Sequence, residues 1–101
     1  MSVEPLSQEE ITDRLGRLSG WSVDGDRLTR SYRLGSHFAG AAMVVHIAQV
    51  QEELNHHAEV TLGYRSVDVA VHTHSAGGRI TGRDFDLAGR VEELAQGHGA
   101  V

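Results

Sequence analysis

A strict alternation between Ser66 and His74 constrains the fold of this chain more than any other feature. β-branched residues at every second position fall on one side of an extended strand: Val67, Val69, Val71 and Thr73. The residues between them fall on the other side: Asp68, Ala70, His72 and His74. One covered face and one open face are typical of an antiparallel sheet with helices on one side only. We therefore expect helices over the valine face, and histidines on the opposite, wetter face.

Three segments show the spacing and the start signals of helices. Ser7 and Glu10 form a capping-box pattern ahead of an apolar stripe that ends at Gly20. Ser36 is an N-cap candidate for a long helix that should end near Asn55 or His57, because the stretch contains no proline and one glycine. The stretch from Thr81 to Asp84 has the form of a cap before a third apolar stripe.

Two pairs of short strands separate these helices. Asp24-Gly25-Asp26 predicts a tight hairpin between strands at 21–23 and 28–32, and a second pair is predicted at 60–64 and 66–73. Residues 75–79 are predicted to form a flexible turn. The order is α-β-β-α-β-β-α, with two ββα repeats in outline. This order predicts a single α+β domain, residues 1–101, in which helices pack on one face of a four-stranded antiparallel sheet.

Composition narrows the functional classes. The chain has 101 residues, a formal charge of −5 and no cysteine. An acidic balance argues against direct nucleic-acid binding, and the lack of cysteine excludes disulfides, thiolate metal sites and a cysteine nucleophile. Because the start resembles no signal peptide and no apolar run approaches 18 residues, we expect a cytoplasmic protein that does not bind membranes.

Histidine is the unusual residue, since four of the seven lie within 19 positions: His56, His57, His72 and His74. Glu52 precedes His56 by four residues, so its carboxylate can orient that imidazole on one side of the helix. Clustered imidazoles suit proton transfer near neutral pH. Two other interpretations stay open at this point. One is a zinc or iron site made by His72 and His74 with His56 or His57 and Glu52, and the other is a solvated polar face.

The spacing of these residues resembles the pterin-4a-carbinolamine dehydratases. The resemblance rests on four motifs: Glu52-Glu-Leu-Asn-His56-His57-Ala-Glu, then Tyr64, then Thr73-His74 after the alternating valines, then Thr81-x-x-Asp84-x-x-Leu87-Ala88. Upstream, Gly20-Trp21 and Tyr32-x-Leu34 also resemble the family, so the likeness covers nearly the whole chain. It implies the fold described above, assembled into homodimers or homotetramers through sheet edges or helices. It also implies loss of water from a 4a-hydroxytetrahydropterin, without metal or organic cofactor, to give quinonoid dihydropterin in tetrahydropterin recycling.

The resemblance also implies a role for each site residue. His56 and His74 would transfer protons, and His57 would orient the pterin with a share in catalysis. The carboxylate of Glu52 would fix the tautomer or charge of His56. The remaining residues would bind substrate: Ala58, Thr73, Ser75, Ala76 and, through a hydrogen bond near His74, Asp84. The family does not require histidine at position 72, so His72 is expected to be a solvated residue of the sheet face.

Several positions depart from the family pattern. Ala58 and Val60 stand where the family usually has proline and an aromatic residue, and Asn55 replaces an aspartate. An aromatic residue could offer a flat surface for stacking a pterin. The alternatives to a dehydratase are therefore a catalytically weak or inactive dimerising or regulatory module of the same fold, and the His/Glu metalloprotein.

Overall fold

A computed structural model describes residues 4–101 of the chain. Three α-helices and four strands alternate in the predicted order: α1 (Gln8–Leu15), β1 (Ser22–Asp24), β2 (Arg27–Arg33), α2 (His37–Leu54), β3 (Glu59–Leu62), β4 (Ser66–Val71) and α3 (Gly82–Gly97). A short 3₁₀ turn, His74–Ala76, precedes α3. The predicted α+β architecture is confirmed, because the four strands form one antiparallel sheet.

The sheet order is β1-β2-β4-β3, so the last strand is inserted between the second and the third. Leu28 of β2 pairs with Val71 of β4, and Glu59 of β3 pairs with Ala70 of β4 from the other side. The α2 helix must therefore cross the sheet from β2 to its far edge. This crossing carries the end of α2 to the same end of the sheet as the end of β4.

The predicted alternation in β4 is confirmed by its burial pattern. Val67, Val69 and Val71 are buried, and Asp68 between them is exposed. The valines form one core with the inner faces of α2 and α3, to which Met43, Ile47, Leu87 and Val91 contribute. Helices thus cover one face of the sheet and leave the other open, as expected from one-sided alternation.

Each of the three predicted N-caps is present. The hydroxyl of Ser7 accepts a hydrogen bond from the Glu10 amide, and the Glu10 carboxylate accepts one from the Ser7 amide. Ser36 caps α2, and Thr81 with Asp84 forms a second capping box at α3. Three boundaries differ from prediction by two residues or more, and one of them is the end of β3, at Leu62 rather than at Tyr64. The α1 helix ends at Leu15 rather than near Gly20. The β4 strand stops at Val71, two residues early.

A buried tyrosine ties β2 to α3. The Tyr32 hydroxyl and the Trp21 indole N–H both donate to Oε1 of Glu92, at 2.7 and 2.9 Å. Burial, and then the hydrogen bond to the Glu92 carboxylate, raise the pKa of Tyr32 well above its ordinary value of 10.0. A tyrosine in the unfolded chain ionises near pH 10, whereas Tyr32 in the folded chain keeps its proton. The folded state therefore binds more protons above that pH, and stability falls as pH rises.

We predict that this tyrosine lowers the free energy of unfolding by about 1.4 kcal/mol between about pH 9 and about pH 11. Tyr32→Phe should be less stable at about pH 8, because the hydrogen bond is lost, but its stability should fall less steeply with pH. Denaturant titrations at the two ends of this range measure both slopes. Parallel pH dependences in the two proteins would contradict the assignment.

None of the helices in residues 4–101 is long and apolar enough to cross a membrane.

Candidate active site

The end of α2 turns His56 away from the helix axis. Asn55 has a left-handed backbone conformation with φ 50°, which asparagine adopts more readily than most residues. The amide of His56 donates to the carbonyl of Gln51, and the amide of Asn55 donates to that of Glu52. This pair of hydrogen bonds is the Schellman arrangement, which ends a helix and redirects the chain. His56 consequently points into the protein rather than along the outer surface of α2.

His56 is hydrogen-bonded to a buried carboxylate from a distant part of the sequence. Its Nε2 lies 2.6 Å from Oδ1 of Asp84. The imidazole is 7% exposed and Asp84 is 0% exposed, so solvent does not weaken this contact. The pair joins the end of α2 to the first turn of α3.

Asp84 also anchors the segment that carries His74. Its Oδ2 accepts a hydrogen bond from the Thr73 hydroxyl at 2.9 Å and from the Thr81 backbone amide at 2.8 Å. The Thr73 and Thr81 hydroxyl oxygens are 2.7 Å apart. The Asp84 carboxylate thus caps α3, holds the segment next to His74 and is hydrogen-bonded to His56. The predicted hydrogen bond of Asp84 near His74 takes this indirect form, through Thr73.

The donor of the bond between His56 and Asp84 depends on the state of the carboxyl group. An ionised Asp84 only accepts, and in that state Nε2 of His56 carries the hydrogen. The other ring nitrogen, Nδ1, makes no hydrogen bond to residues 4–101. It is also not one of their buried side-chain nitrogen or oxygen atoms that lack a hydrogen-bond partner. It is left to exchange a proton with a bound molecule. A carboxylate behind an imidazole fixes the tautomer and stabilises the imidazolium that forms.

Two residues that the sequence analysis missed hold the histidine segment in place. The side-chain Oε1 of the buried Gln51 accepts from the Ala58 amide at 2.7 Å. Arg83 Nη2 donates to the Asn55 carbonyl at 2.6 Å. The first bond holds residues 55–58 to α2, and the second holds them to α3. Neither residue carries a sequence signal of this role, since both resemble ordinary polar positions of a helix.

His74 is exposed and opens the 3₁₀ turn instead of ending a strand. The predicted flexible turn at 75–79 is a compact one, closed by a bridge in which the Thr73 amide donates to the Arg79 carbonyl at 2.9 Å. Gly77 and Gly78 both have positive φ, which side chains disfavour. Ser75 and Ala76 lie within this turn, next to His74. Tyr64 lies beyond the other end of β4, away from this group.

Glu52 does not contact His56, contrary to the predicted pairing at four residues' separation. Its Oε2 lies 3.6 Å from Nε2 of His57, and both side chains are largely exposed. The reason is the left-handed residue Asn55, because helical i, i+4 geometry ends one residue before His56. An exposed pair of this kind contributes little to stability.

The histidines of the candidate site are divided between the two faces of the sheet, whereas the alternation of β4 predicted histidines on the open face. His56 is buried on the helix side, whereas His57 and His72 line a cleft on the open side. The cleft has a volume of about 300 Å³, and its other lining residues are Arg27, Ala58, Glu59 and Ala70. This volume is at the lower end of the range for small-ligand pockets.

No group of three or more histidine, cysteine, aspartate or glutamate side chains within residues 4–101 has a geometry that could hold a metal ion. The combination of His72 and His74 with His56 or His57 and Glu52, considered above as a metal site, is therefore not assembled in the described part of the chain.

Comparison with known proteins gives one consistent family. The family model described as pterin 4 alpha carbinolamine dehydratase matches residues 4–94. The chain is 70% identical to a protein of Streptomyces avermitilis and 68% identical to one of Streptomyces coelicolor, over 99% of each chain. Both are provisionally named pterin-4-alpha-carbinolamine dehydratase.

Solved structures share the fold. The crystal structure of a transcriptional coactivator/pterin dehydratase from Brucella melitensis superposes with a TM-score of 0.84 at 31% identity, covering 90% of this chain and 98% of the other. A pterin dehydratase-like protein identified as a RuBisCO assembly factor in the alpha-carboxysome superposes with a TM-score of 0.60 at 21% identity. It covers 74% of this chain and 86% of its own, and this second likeness concerns the fold alone.

Proposed function

Because this chain belongs to the pterin-4a-carbinolamine dehydratase family, we propose that it removes water from a 4a-hydroxytetrahydropterin to give quinonoid dihydropterin, a step of tetrahydropterin recycling. The observation that carries the proposal is the buried hydrogen bond of 2.6 Å between His56 and Asp84. It leaves one ring nitrogen of His56 available beside the segments that hold His57 and His74.

The reaction requires two proton transfers and no change in oxidation state. The C4a–O bond breaks as the N5 lone pair forms the N5=C4a double bond. The departing oxygen takes a proton from an acid, and the N5–H proton passes to a base, so one molecule of water is lost. A pair of imidazoles can serve both ends, because histidine is both donor and acceptor near neutral pH. The proposed reaction uses no metal and no organic cofactor.

We assign the two proton transfers to His56 and His74, which are linked through Thr73 and Asp84. His57 is exposed at the mouth of the cleft, where it would orient the pterin ring and take part in proton transfer. Glu52, 3.6 Å from His57, would hold that imidazole rather than His56. The other proposed substrate contacts come from the two ordered segments beside these histidines: Ala58, Thr73, Ser75 and Ala76.

A rate measurement tests the proposal. A 4a-hydroxytetrahydropterin is generated in buffer, and its breakdown to quinonoid dihydropterin is followed by absorbance with and without the protein. We expect the protein to accelerate this step in proportion to its concentration. A rate equal to that of buffer alone would contradict the proposed dehydratase function and favour the regulatory alternative.

That alternative is a partner-binding module of the same fold. It is favoured by the similarity to the Brucella protein, which is described as a transcriptional coactivator as well as a pterin dehydratase. It is also supported by the outer side of α2, where Phe38 is 83% exposed and Val45 is 72% exposed. Such a module would associate normally and leave the carbinolamine reaction unchanged.

The same α2 surface supports a proposed homodimer or homotetramer. Residues 37–51 contain no aspartate, glutamate, lysine or arginine, and an uncharged helix surface with exposed large apolar side chains is typical of an interaction site. Light scattering should give a multiple of the 10.9 kDa chain mass, and Val45→Lys should lower it. A wild-type mass of one chain would contradict the assembly.

The lack of cysteine is the support for a proposed cytoplasmic location.

A further inference from the structure

His72, Arg27 and His57 form a row at one end of the sheet, where Arg27 begins β2, His72 follows β4 and His57 precedes β3. Leu28 pairs with Val71, and Glu59 pairs with Ala70. Continuing these registers beyond the strand ends places Arg27 on one side of His72 and His57 on the other. Neighbouring strands are about 4.8 Å apart, so side chains on one face of such a row are in reach of each other. Their common presence in the wall of the cleft agrees with this placement.

The row is rich in hydrogen-bond donors. Nη1 of Arg27 donates to Oε2 of Glu59 at 2.6 Å, an ion pair that spans from β2 to β3 across β4. A guanidinium has five N–H groups, and this contact occupies one of them. Within residues 4–101, the side chain of His72 makes no hydrogen bond, although it is half-buried. The row therefore keeps donors from both residues for a bound group.

Small residues leave room for that group. Ala58 and Ala70 also line the cleft, which is partly open to solvent. The ion pair leaves the lining charge near zero while the imidazoles are neutral, and a proton on either ring makes it positive. An arginine fork beside an imidazole is suited to phosphate or carboxylate oxygens.

We propose that His72 and Arg27 form a subsite for an anionic substituent, a phosphate or carboxylate group, carried by the pterin whose ring contacts His57. The inference rests on the proposed pterin function, in which His57, one of the residues that line this cleft, orients the pterin ring. His72 is then a specificity-determining residue rather than a solvated residue of the sheet. It distinguishes substrates by the charge of their side group and takes no part in proton transfer.

A pair of ligands that differ only in the anionic group tests the subsite. The pair is 6-hydroxymethyl-7,8-dihydropterin and its phosphate monoester, and equilibrium binding to the full chain is measured by calorimetry. We expect the ester to bind about tenfold more tightly than the alcohol, as for charge-assisted hydrogen bonds in a partly solvated site. His72→Gln and Arg27→Gln should each reduce this ratio to about twofold or less. His72→Lys should retain it, because lysine supplies N–H donors and a positive charge at that position.

The matched control is His46→Gln, a surface histidine of α2 outside the cleft, which should keep the wild-type ratio. Equal affinities of the wild type for the two ligands overturn the subsite, and so does an unchanged ratio in His72→Gln. Either result leaves the dehydration assay standing as evidence for the pterin function. Failure of both ligands to bind overturns the subsite together with the function on which it rests.

Discussion

Replacing His56 with glutamine should lower kcat for carbinolamine dehydration by about 100-fold or more, the usual contribution of a general acid or base. The glutamine amide can reach the position of Nε2 and donate to Asp84, so the buried hydrogen bond and the fold should survive. It offers no nitrogen that takes up a proton, which is the property that the reaction needs. His56→Ala and His74→Ala should show losses of the same size. The measurement is kcat at saturating substrate, with circular dichroism to verify folding.

His98→Ala is a useful control for these variants, because His98 lies at the other end of α3 from Asp84 and contacts His46. It should keep the wild-type kcat. Unchanged dehydration by both His56→Gln and His74→Ala would remove the assignment of proton transfer to these two residues. An effect on KM alone would show that they bind the pterin but do not catalyse.

Replacing Asp84 with alanine should lower the free energy of unfolding by roughly 3–5 kcal/mol. The change removes the carboxylate that is hydrogen-bonded to His56, the Thr73 hydroxyl and the Thr81 amide, and of these only the Thr73 hydroxyl has another acceptor nearby, the Thr81 hydroxyl. Asp84→Asn preserves the volume but presents an amide where His56 or Thr73 needs an acceptor. We expect it to cost about 1–3 kcal/mol of stability and to lower kcat by about tenfold or more. Denaturant titration and steady-state kinetics measure the two effects.

The chain contains a matched control for the capping contribution alone. Glu10 occupies the same position in the capping box of α1, but it is exposed and contacts no catalytic segment. Glu10→Ala should destabilise the chain much less than Asp84→Ala and leave kcat unchanged. If Asp84→Ala were no more destabilising than Glu10→Ala, the carboxylate would be a helix cap and nothing more.

The elements of the fold were predictable because their signals are local. Capping boxes at Ser7 and Thr81 mark two helix starts, and alternation of valines from Val67 to Val71 marks a strand with one buried side. Each signal acts over about four to eight residues, where side chain and backbone meet whatever the rest of the chain does. Boundaries were less predictable. The β4 strand stops at Val71 because the chain beyond it turns to place Thr73 against Asp84.

The site was only partly predictable. The identity of the histidines came from a family spacing, and the structure places His56, Thr73 and Asp84 in one hydrogen-bonded group. The partner predicted for His56 was wrong, since Glu52 faces His57. The error came from extending helical periodicity past Asn55, whose left-handed conformation breaks it. Gln51 and Arg83 were missed because a hydrogen bond to a distant backbone group leaves no pattern in a sequence.

The sequence by itself determined the order of helices and strands, the face of β4 that is buried and the residue types available for proton transfer. Only the tertiary structure decided which carboxylate is hydrogen-bonded to His56. Asp84 lies 28 residues away along the chain, and the two meet because the end of α2 and the start of α3 are carried to one end of the sheet by the order β1-β2-β4-β3. Periodicity describes neighbours within an element, whereas a buried contact between elements depends on how strands pair. That pairing gave His56 its buried carboxylate partner, and it placed His72 in the cleft beside His57.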